Sequence, residues 1–284
     1  MGIFQTLIVG IERGIMMGKK TITYDFSGKV ALVTGSSRGI GFAAARLFLE
    51  AGGRVMLNGV NQERLEAAVR QLAAPADRVA AFRADVSSAA EVEAMFAALM
   101  KKWNRIDILV NNAMDRPTAQ VVEMTEEQWD RNIDSGLKGP FLVSRLAGRR
   151  MIDQGQGGKI VNVASGAWKI ARVAASAYCA AKAGLVMFTA VLAQELGPYR
   201  INVNCVAPGL ISVVPREQVP EGKQAYHRAT VSMTPWGRMG TPEDVAHVIL
   251  MSCSEEADFM TGAIIGVDGG LAVGRYGIPV NVNV

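Results

Sequence analysis

The chain has 284 residues, half of them hydrophobic, a formal net charge of +4, two histidines and three cysteines. That is enough apolar material for a full core, and it excludes a disordered or fibrous chain. The 30 Lys and Arg residues form no basic block, which argues against a nucleic-acid partner. Cys179, Cys205 and Cys253 are odd in number and far apart, which suggests neither disulfides nor a metal site and fits reduced thiols in the cytoplasm.

Residues 1–27 read as an N-terminal extension. The stretch from Met1 to Met17 is apolar but interrupted by Glu12 and Arg13, too short to span a bilayer and without the features of a signal peptide. The chain therefore reads as a non-membrane protein. Met1-Gly2 with Thr6 has the form of a myristoylation motif, so attachment to a membrane through this end is a remote alternative.

From Lys29 onward apolar runs alternate with amphipathic stretches. Strands are predicted at 29–34, 54–58, 78–84, 107–111, 159–163, 201–207 and 263–267. Helices are predicted at 42–51, 63–72, 90–102, 175–196 and 242–252, with one or two more over 125–154 and an irregular stretch from 208 to about 241. Strict alternation with near-continuous apolar strands means an α/β fold, a doubly wound parallel sheet covered on both faces. With no linker and no internal repeat, residues 28–284 read as one domain.

Two stretches carry chemistry. Between the first strand and helix lies Thr34-Gly35-Ser36-Ser37-Arg38-Gly39-Ile40-Gly41. Glycines there let the backbone approach a pyrophosphate while the helix N-terminus offers its N–H groups to the anion. No acid follows the second strand, where the sequence is Asn58-Gly59-Val60-Asn61, and Arg38 is placed to meet an additional phosphate. NADP is therefore expected in preference to NAD. The second stretch is Tyr178-Cys-Ala-Ala-Lys182, whose four-residue spacing puts an ammonium on the same helix face as a phenol and favours its phenolate form.

Together these pieces resemble the short-chain dehydrogenase/reductase family from about Gly28 to Gly270. The matching motifs are the glycine loop, Asp85-Val86, Asn111-Asn112-Ala113, Ser165 thirteen residues before Tyr178, and Lys182. Pro208-Gly209, Arg238-Met-Gly-Thr-Pro-Glu-Asp-Val-Ala246, Thr261-Gly262 and Val267-Asp-Gly-Gly270 follow in the same order. The resemblance implies a single Rossmann-type domain with strand order 3-2-1-4-5-6-7, NADP or NAD as cofactor, a small carbonyl or alcohol substrate, and a homodimer or homotetramer. It implies catalysis by Tyr178 as proton donor or acceptor, Ser165 as a hydrogen-bond donor to the substrate oxygen, and Lys182 on the nicotinamide ribose. Gly35, Ser37, Arg38, Gly39, Ile40 and Gly41 would hold the phosphates, Asp85 and Val86 the adenine, Asn112 the ribose side, and Pro208, Gly209 and Ile211 the nicotinamide. No metal is implied.

The chain departs from the family pattern in three places. Gly136, in Gly136-Leu-Lys-Gly-Pro-Phe141, stands where the family has a catalytic Asn. In relatives that residue's backbone carbonyl holds a water linking the lysine to solvent, so a slower or re-routed proton path is expected. Met114 replaces the Gly of Asn-Asn-Ala-Gly, and Val213, next to Ser212, replaces a Thr that holds the carboxamide. These departures keep open the alternative of a catalytically impaired, nucleotide-binding relative with a regulatory or structural role. The segment from Val213 to Thr234 is expected to cover the substrate. Trp168 and Tyr226 would be wall residues or ordinary packing, and Arg216, Lys223 and Arg228 would attract an acidic substrate or form a solvated charged surface. His227 and His247 are assigned no role.

Overall fold

The computed structural model describes residues 23–213 and 221–274. The myristoylation-like start and Arg216 lie outside the described residues, as does the side chain of Lys223. The elements alternate as β1 (Val30–Val33), α1 (Gly39–Glu50), β2 (Arg54–Gly59), α2 (Gln62–Leu72), β3 (Val79–Arg83), α3 (Ala89–Trp103) and β4 (Ile108–Asn111). The second half runs α4 (Glu126–Ile133), a π-helical turn (Asp134–Lys138), α5 (Gly139–Gln154), β5 (Gly158–Val163), α6 (Ser176–Leu196), β6 (Ile201–Pro208), α7 (Glu221–Ser232), α8 (Pro242–Cys253) and β7 (Ile264–Val267). All seven strands pair in parallel in the order β3-β2-β1-β4-β5-β6-β7.

Side chains alternate across the sheet, so each strand feeds two apolar layers. Ala31, Val33, Val55, Leu57 and Val110 pack against α1, α2 and α8 on one face. Val30, Leu32, Met56, Leu109 and Ile160 pack against α3, α5 and α6 on the other. Because both faces are covered, apolar residues dominate the central strands.

Helix ends follow local chemistry. Asn61 and Ser88 cap α2 and α3 by accepting from Arg64 and Glu91 N–H groups, and Thr125 with Gln128 and Thr241 with Asp244 form capping boxes. Ala73, Asn104 and Gly155 stop helices in the left-handed conformation. Helix α6 is long and apolar enough, by composition, to cross a membrane, but half of it is buried and it packs on the sheet as a core helix.

Segment 23–27 packs onto the fold: Phe26 is buried, its ring meets Phe48 edge-on at 5.0 Å, and its N–H donates to Ala51 O at 2.7 Å. Two sequence expectations are corrected. Helix α1 begins at Gly39 because the glycine loop itself winds into the first turn, with Phe42 N donating to Arg38 O. The stretch read as irregular contains α7, while the 125–154 stretch, read as one or two helices, is two joined by a π turn. Helix α7 has few apolar residues and a low buried content, so its period is faint in the sequence.

Candidate active site

The carboxyl ends of β1, β4, β5 and β6 converge on one edge of the sheet, where the predicted site residues meet. Gly35 and Gly39 both have φ of +60°. A side chain on Gly35 would stand 2.7 Å from Ala113 Cα, and one on Gly41 would stand 2.6 Å from both Gly35 O and Asn112 Nδ2. The loop is thus drawn tight against the strand β4 exit, and only glycine fits. Thr34 Oγ1 accepts from Asn112 N and Ala113 N, while Asn112 Nδ2 donates to Thr34 O and Gly35 O. Asn112 therefore ties the phosphate loop to the end of β4 with its amide.

The N–H groups of the first turn of α1 lie ahead of the first helical bond, which begins at Phe42, and so are open to an anion. Arg38 occupies the N-cap position with an exposed side chain. Asn58, at the end of β2, is buried and its Nδ2 donates to Phe82 O and Ala84 O. It knits the strand ends together, so the position from which an acid would grip a ribose offers neither charge nor a free side chain. Ser37 Oγ lies 3.5 Å from where a Gly59 Cβ would stand. These residues fit the phosphate-bearing part of a nicotinamide dinucleotide.

Asp85 accepts from Ser87 N and Oγ through one oxygen, and Val86 is buried so closely on α5 that a side chain at Gly139 would stand 2.7 Å from its Cγ2. On the other side, Pro208 ends β6. Gly209 approaches Asp268 so closely that a Cβ would lie 2.8 Å from its Cα. Ile211 bridges to Gly240, Ser212 N donates to Gly240 O, and Val213 lies against Gly39, where a Cβ would stand 3.4 Å from Val213 Cγ1. A cleft of about 390 Å³ lined by Gly39, Phe42, Arg46 and Val213 runs beside the first turn of α1.

Ser165 follows β5 and starts a short 3-10 turn, its Oγ accepting from Ala167 N at 3.3 Å. Tyr178 is buried in the first turn of α6, and Lys182 stands one turn on. The Lys182 ammonium lies 5.9 Å from the Tyr178 ring centroid and donates to Val163 O at 2.8 Å. Burial pushes Lys182 down to about 8, opposed by Cys205 and reinforced by the Arg116 cation. The arrangement places one buried phenol, one hydroxyl and one ammonium at the end of β5, which can donate hydrogen bonds to an oxygen that gains charge.

Gly136 sits inside the π turn, and the space a side chain would need there is already filled. Its Cβ would stand 2.9 Å from Met114 Sδ, 3.2 Å from Met114 Cε and 3.1 Å from Ala181 Cβ. The two departures Gly136 and Met114 are therefore one feature: the thioether occupies the volume the missing side chain leaves. Asn132 does not substitute, since it is fully buried with its Nδ2 on Pro117 O and Gln128 O. Ser135 instead ties the loop after β4, accepting from Asp115 N and donating to Arg131 O.

Two residues escaped the sequence reading. Arg116 places its guanidinium carbon 5.0 Å from the Tyr178 ring centroid, and Arg172 places its own 4.8 Å from the Tyr226 ring, linking the loop before α6 to α7. Neither belongs to a motif, and nothing but their place in loops that close over Tyr178 would have drawn attention to them. Trp168 packs onto the small cluster of Ala164, Leu185, Val186 and Cys205. Tyr226 is about two-fifths exposed and Arg228 is exposed on α7.

The family model described as enoyl-(acyl carrier protein) reductase matches residues 35–272. A 3-oxoacyl-[acyl-carrier-protein] reductase of Thermotoga maritima is 37% identical over 246 residues, covering 87% of this chain and 98% of that protein. The (2S)-[(R)-hydroxy(phenyl)methyl]succinyl-CoA dehydrogenase subunit BbsD of Thauera aromatica is 38% identical over 242 residues, covering 85% and 96%. The crystal structure of a short-chain type dehydrogenase/reductase from Mycobacterium marinum superposes with a TM-score of 0.82 at 34% identity, covering 89% of this chain and 98% of that one. With its seven-stranded parallel sheet, glycine loop and the spacing of Ser165, Tyr178 and Lys182, the chain belongs to the short-chain dehydrogenase/reductase family.

Proposed function

We propose that this oxidoreductase interconverts a ketone and a secondary alcohol by hydride transfer with NADP, and less readily with NAD, using Tyr178 as proton donor or acceptor. The observation that carries this reading is the placing of Ser165, Tyr178 and Lys182 beside the carboxyl ends of the strands, on the same sheet edge as the glycine loop. The cofactor would supply the hydride; Gly35, Ser37, Arg38, Gly39, Ile40 and Gly41 would hold its phosphates, with Asp85, Val86, Asn112, Pro208, Gly209 and Ile211 around its remaining parts. Tyr178 and Ser165 would donate to the substrate oxygen as negative charge builds there. Lys182, buried and bonded to Val163 O, would hold the ribose and favour proton loss from Tyr178.

The absence of a polar side chain at position 136 motivates the alternative of an impaired, nucleotide-binding protein. Against it stands the filling of that volume by Met114, which leaves the site packed instead of collapsed. The separating experiment is a cofactor-oxidation screen over ketones paired with calorimetric binding of NADP and NAD. Turnover that disappears in Tyr178→Phe while NADP still binds supports the enzyme. Binding without turnover on any carbonyl refutes it in favour of the alternative, and Arg38→Ala leaving the NADP/NAD affinity ratio unchanged refutes the phosphate reading.

We place the protein in the cytoplasm, as its free thiols Cys179, Cys205 and Cys253 suggest. We also propose self-assembly through α5 and α6. Phe141, Met187 and Val191 are exposed on this face, and a groove of about 490 Å³ between the helices is lined by Phe141, Ile152 and Phe188 with Arg145, Asp153 and Glu195 at its rim. A face carrying both signs of charge around an apolar strip is complementary to itself across a two-fold axis. Light scattering on the eluting protein tests this: a mass of one chain refutes it.

A further inference from the structure

We propose that Arg116 recognises a carboxylate on the substrate, one or two carbons from the carbonyl or alcohol carbon facing Tyr178; this rests on the hydride-transfer reading above and narrows its substrate to oxo acids and the matching hydroxy acids. Arg116 is exposed at the mouth of the site, with its guanidinium carbon 5.0 Å from the Tyr178 ring centroid. Among the described residues no carboxylate pairs with it. Its neighbour Asp115 is committed to Arg131, whose Nε and Nη2 lie 2.8 and 2.5 Å from Asp115 Oδ2. The same phenol ring has the Lys182 ammonium 5.9 Å away. Two cations therefore stand near one buried aromatic ring, and Arg116 disfavours the charged form of Lys182. An anionic group on the substrate would supply the missing countercharge.

The loop that carries Arg116 is braced on both sides. Asp115 N donates to Ser135 Oγ at 3.0 Å, Ser135 Oγ in turn donates to Arg131 O at 2.6 Å, and Asn132 Nδ2 donates to Pro117 O at 3.0 Å. Two residues on, Ala119 forms a parallel bridge with Ala175 at the start of α6, so the loop and the Tyr178 helix are tied together. A cation held on such a frame loses little freedom when it engages a ligand. Its planar fork matches a carboxylate with two parallel hydrogen bonds, and stacking on a ring leaves the in-plane N–H groups available. The phosphate of a pantetheine arm sits many bonds from the thioester, too far to reach a cation stacked on Tyr178. The short separation selects a carboxylate near the reacting carbon.

The experiment compares acetoacetate with its methyl ester, in the unmodified protein and in Arg116→Gln and Arg116→Lys. The expected result is a preference for the acid in kcat/KM that falls at least about tenfold in Arg116→Gln and is partly restored in Arg116→Lys, the size expected for loss of a charge-assisted hydrogen bond. A preference for the ester, or an acid-to-ester ratio that Arg116→Gln leaves unchanged, overturns the proposal. A second measurement needs no turnover: calorimetric titration of malonate into NADP-saturated Tyr178→Phe protein, with and without Arg116→Gln. Equal malonate affinity in the two overturns the anion site. Malonate binding that depends on Arg116, together with no turnover on any carbonyl, overturns the hydride-transfer reading and leaves the anion site standing.

Discussion

Replacing Gly136 by Ala tests whether Met114 and Gly136 share one volume. Gly136 lacks a positive φ, so the backbone accepts a Cβ without strain, and a mid-helix Gly→Ala change by itself gains up to about 1 kcal/mol. Opposing this, the new Cβ would stand 2.9 Å from Met114 Sδ and 3.1 Å from Ala181 Cβ. The thioether must give way and Ala181 Cβ is fixed to α6, so overpacking of this kind costs about 1–3 kcal/mol. The single variant should therefore lose roughly 1 kcal/mol net of the propensity gain. In a Met114→Ala background the sulfur contact is gone, and the same change should cost at least about 1 kcal/mol less. Urea unfolding of the four proteins, read as midpoints at constant m, gives the coupling energy directly. A coupling below about 0.5 kcal/mol would refute the shared-volume account. It also follows that Gly136→Asn is a meaningful test of the proton path only when Met114 is shortened with it.

Three further outcomes are expected. Lys182 is held at about 8 against an ordinary value of 10.5, so between those values the unfolded chain binds more protons than the folded one and stability rises with pH; the advantage of Lys182→Met over the unmodified protein should shrink by about 3 kcal/mol across that window in denaturant titrations, and a flat difference refutes the burial cost. Asn162 donates to Thr189 Oγ1 and accepts from Asn111 Nδ2, which also donates to Ser144, all buried between the sheet and α5 and α6; Asn162→Val should cost about 2–4 kcal/mol by stranding these partners, and a loss under about 1 kcal/mol would show that they re-pair. Asp244 is held at about 2, first by the Arg238 guanidinium and then by Thr241 N–H, so its contribution is present above the ordinary carboxylate range and is lost as pH falls towards 2. Because Asp244 is about a third exposed and Arg238 about half, Asp244→Asn should remove no more than about 1 kcal/mol of that acid dependence, checked by melting temperature from pH 5 to 2.

The sheet was legible because a strand buried on both faces writes itself as an uninterrupted apolar run, as in Val-Ala-Leu-Val of β1. The glycine loop and the Tyr178–Lys182 spacing were legible because each is local: a turn that needs positive φ, and a pair one helical turn apart. What the sequence hid is contact between residues distant along the chain. Nothing in Met114 announces that it fills the place of a side chain at position 136, and nothing in Asn111, Ser144, Asn162 and Thr189 announces one connected network. Likewise, nothing in the Asn112 motif announces that its amide donates to the Thr34 and Gly35 carbonyls.

The five-residue turn at Asp134–Lys138 acts as a phase shifter between α4 and α5. An extra residue in one turn offsets everything beyond it by about 100° around the helix axis, the angle one residue subtends. The stripe of α5 that meets the sheet is therefore out of step with the face of α4 that carries Asn132 towards Pro117. Deleting one residue from this turn would let an ordinary α-helix run through, and with α5 locked against the sheet it is α4 that would rotate. Asn132 would leave Pro117, and the loop that carries Arg116 would lose a brace without any change in its own sequence. Length at this point in the chain works as a setting in its own right, as tightly linked to the mouth of the site as the residues that line it.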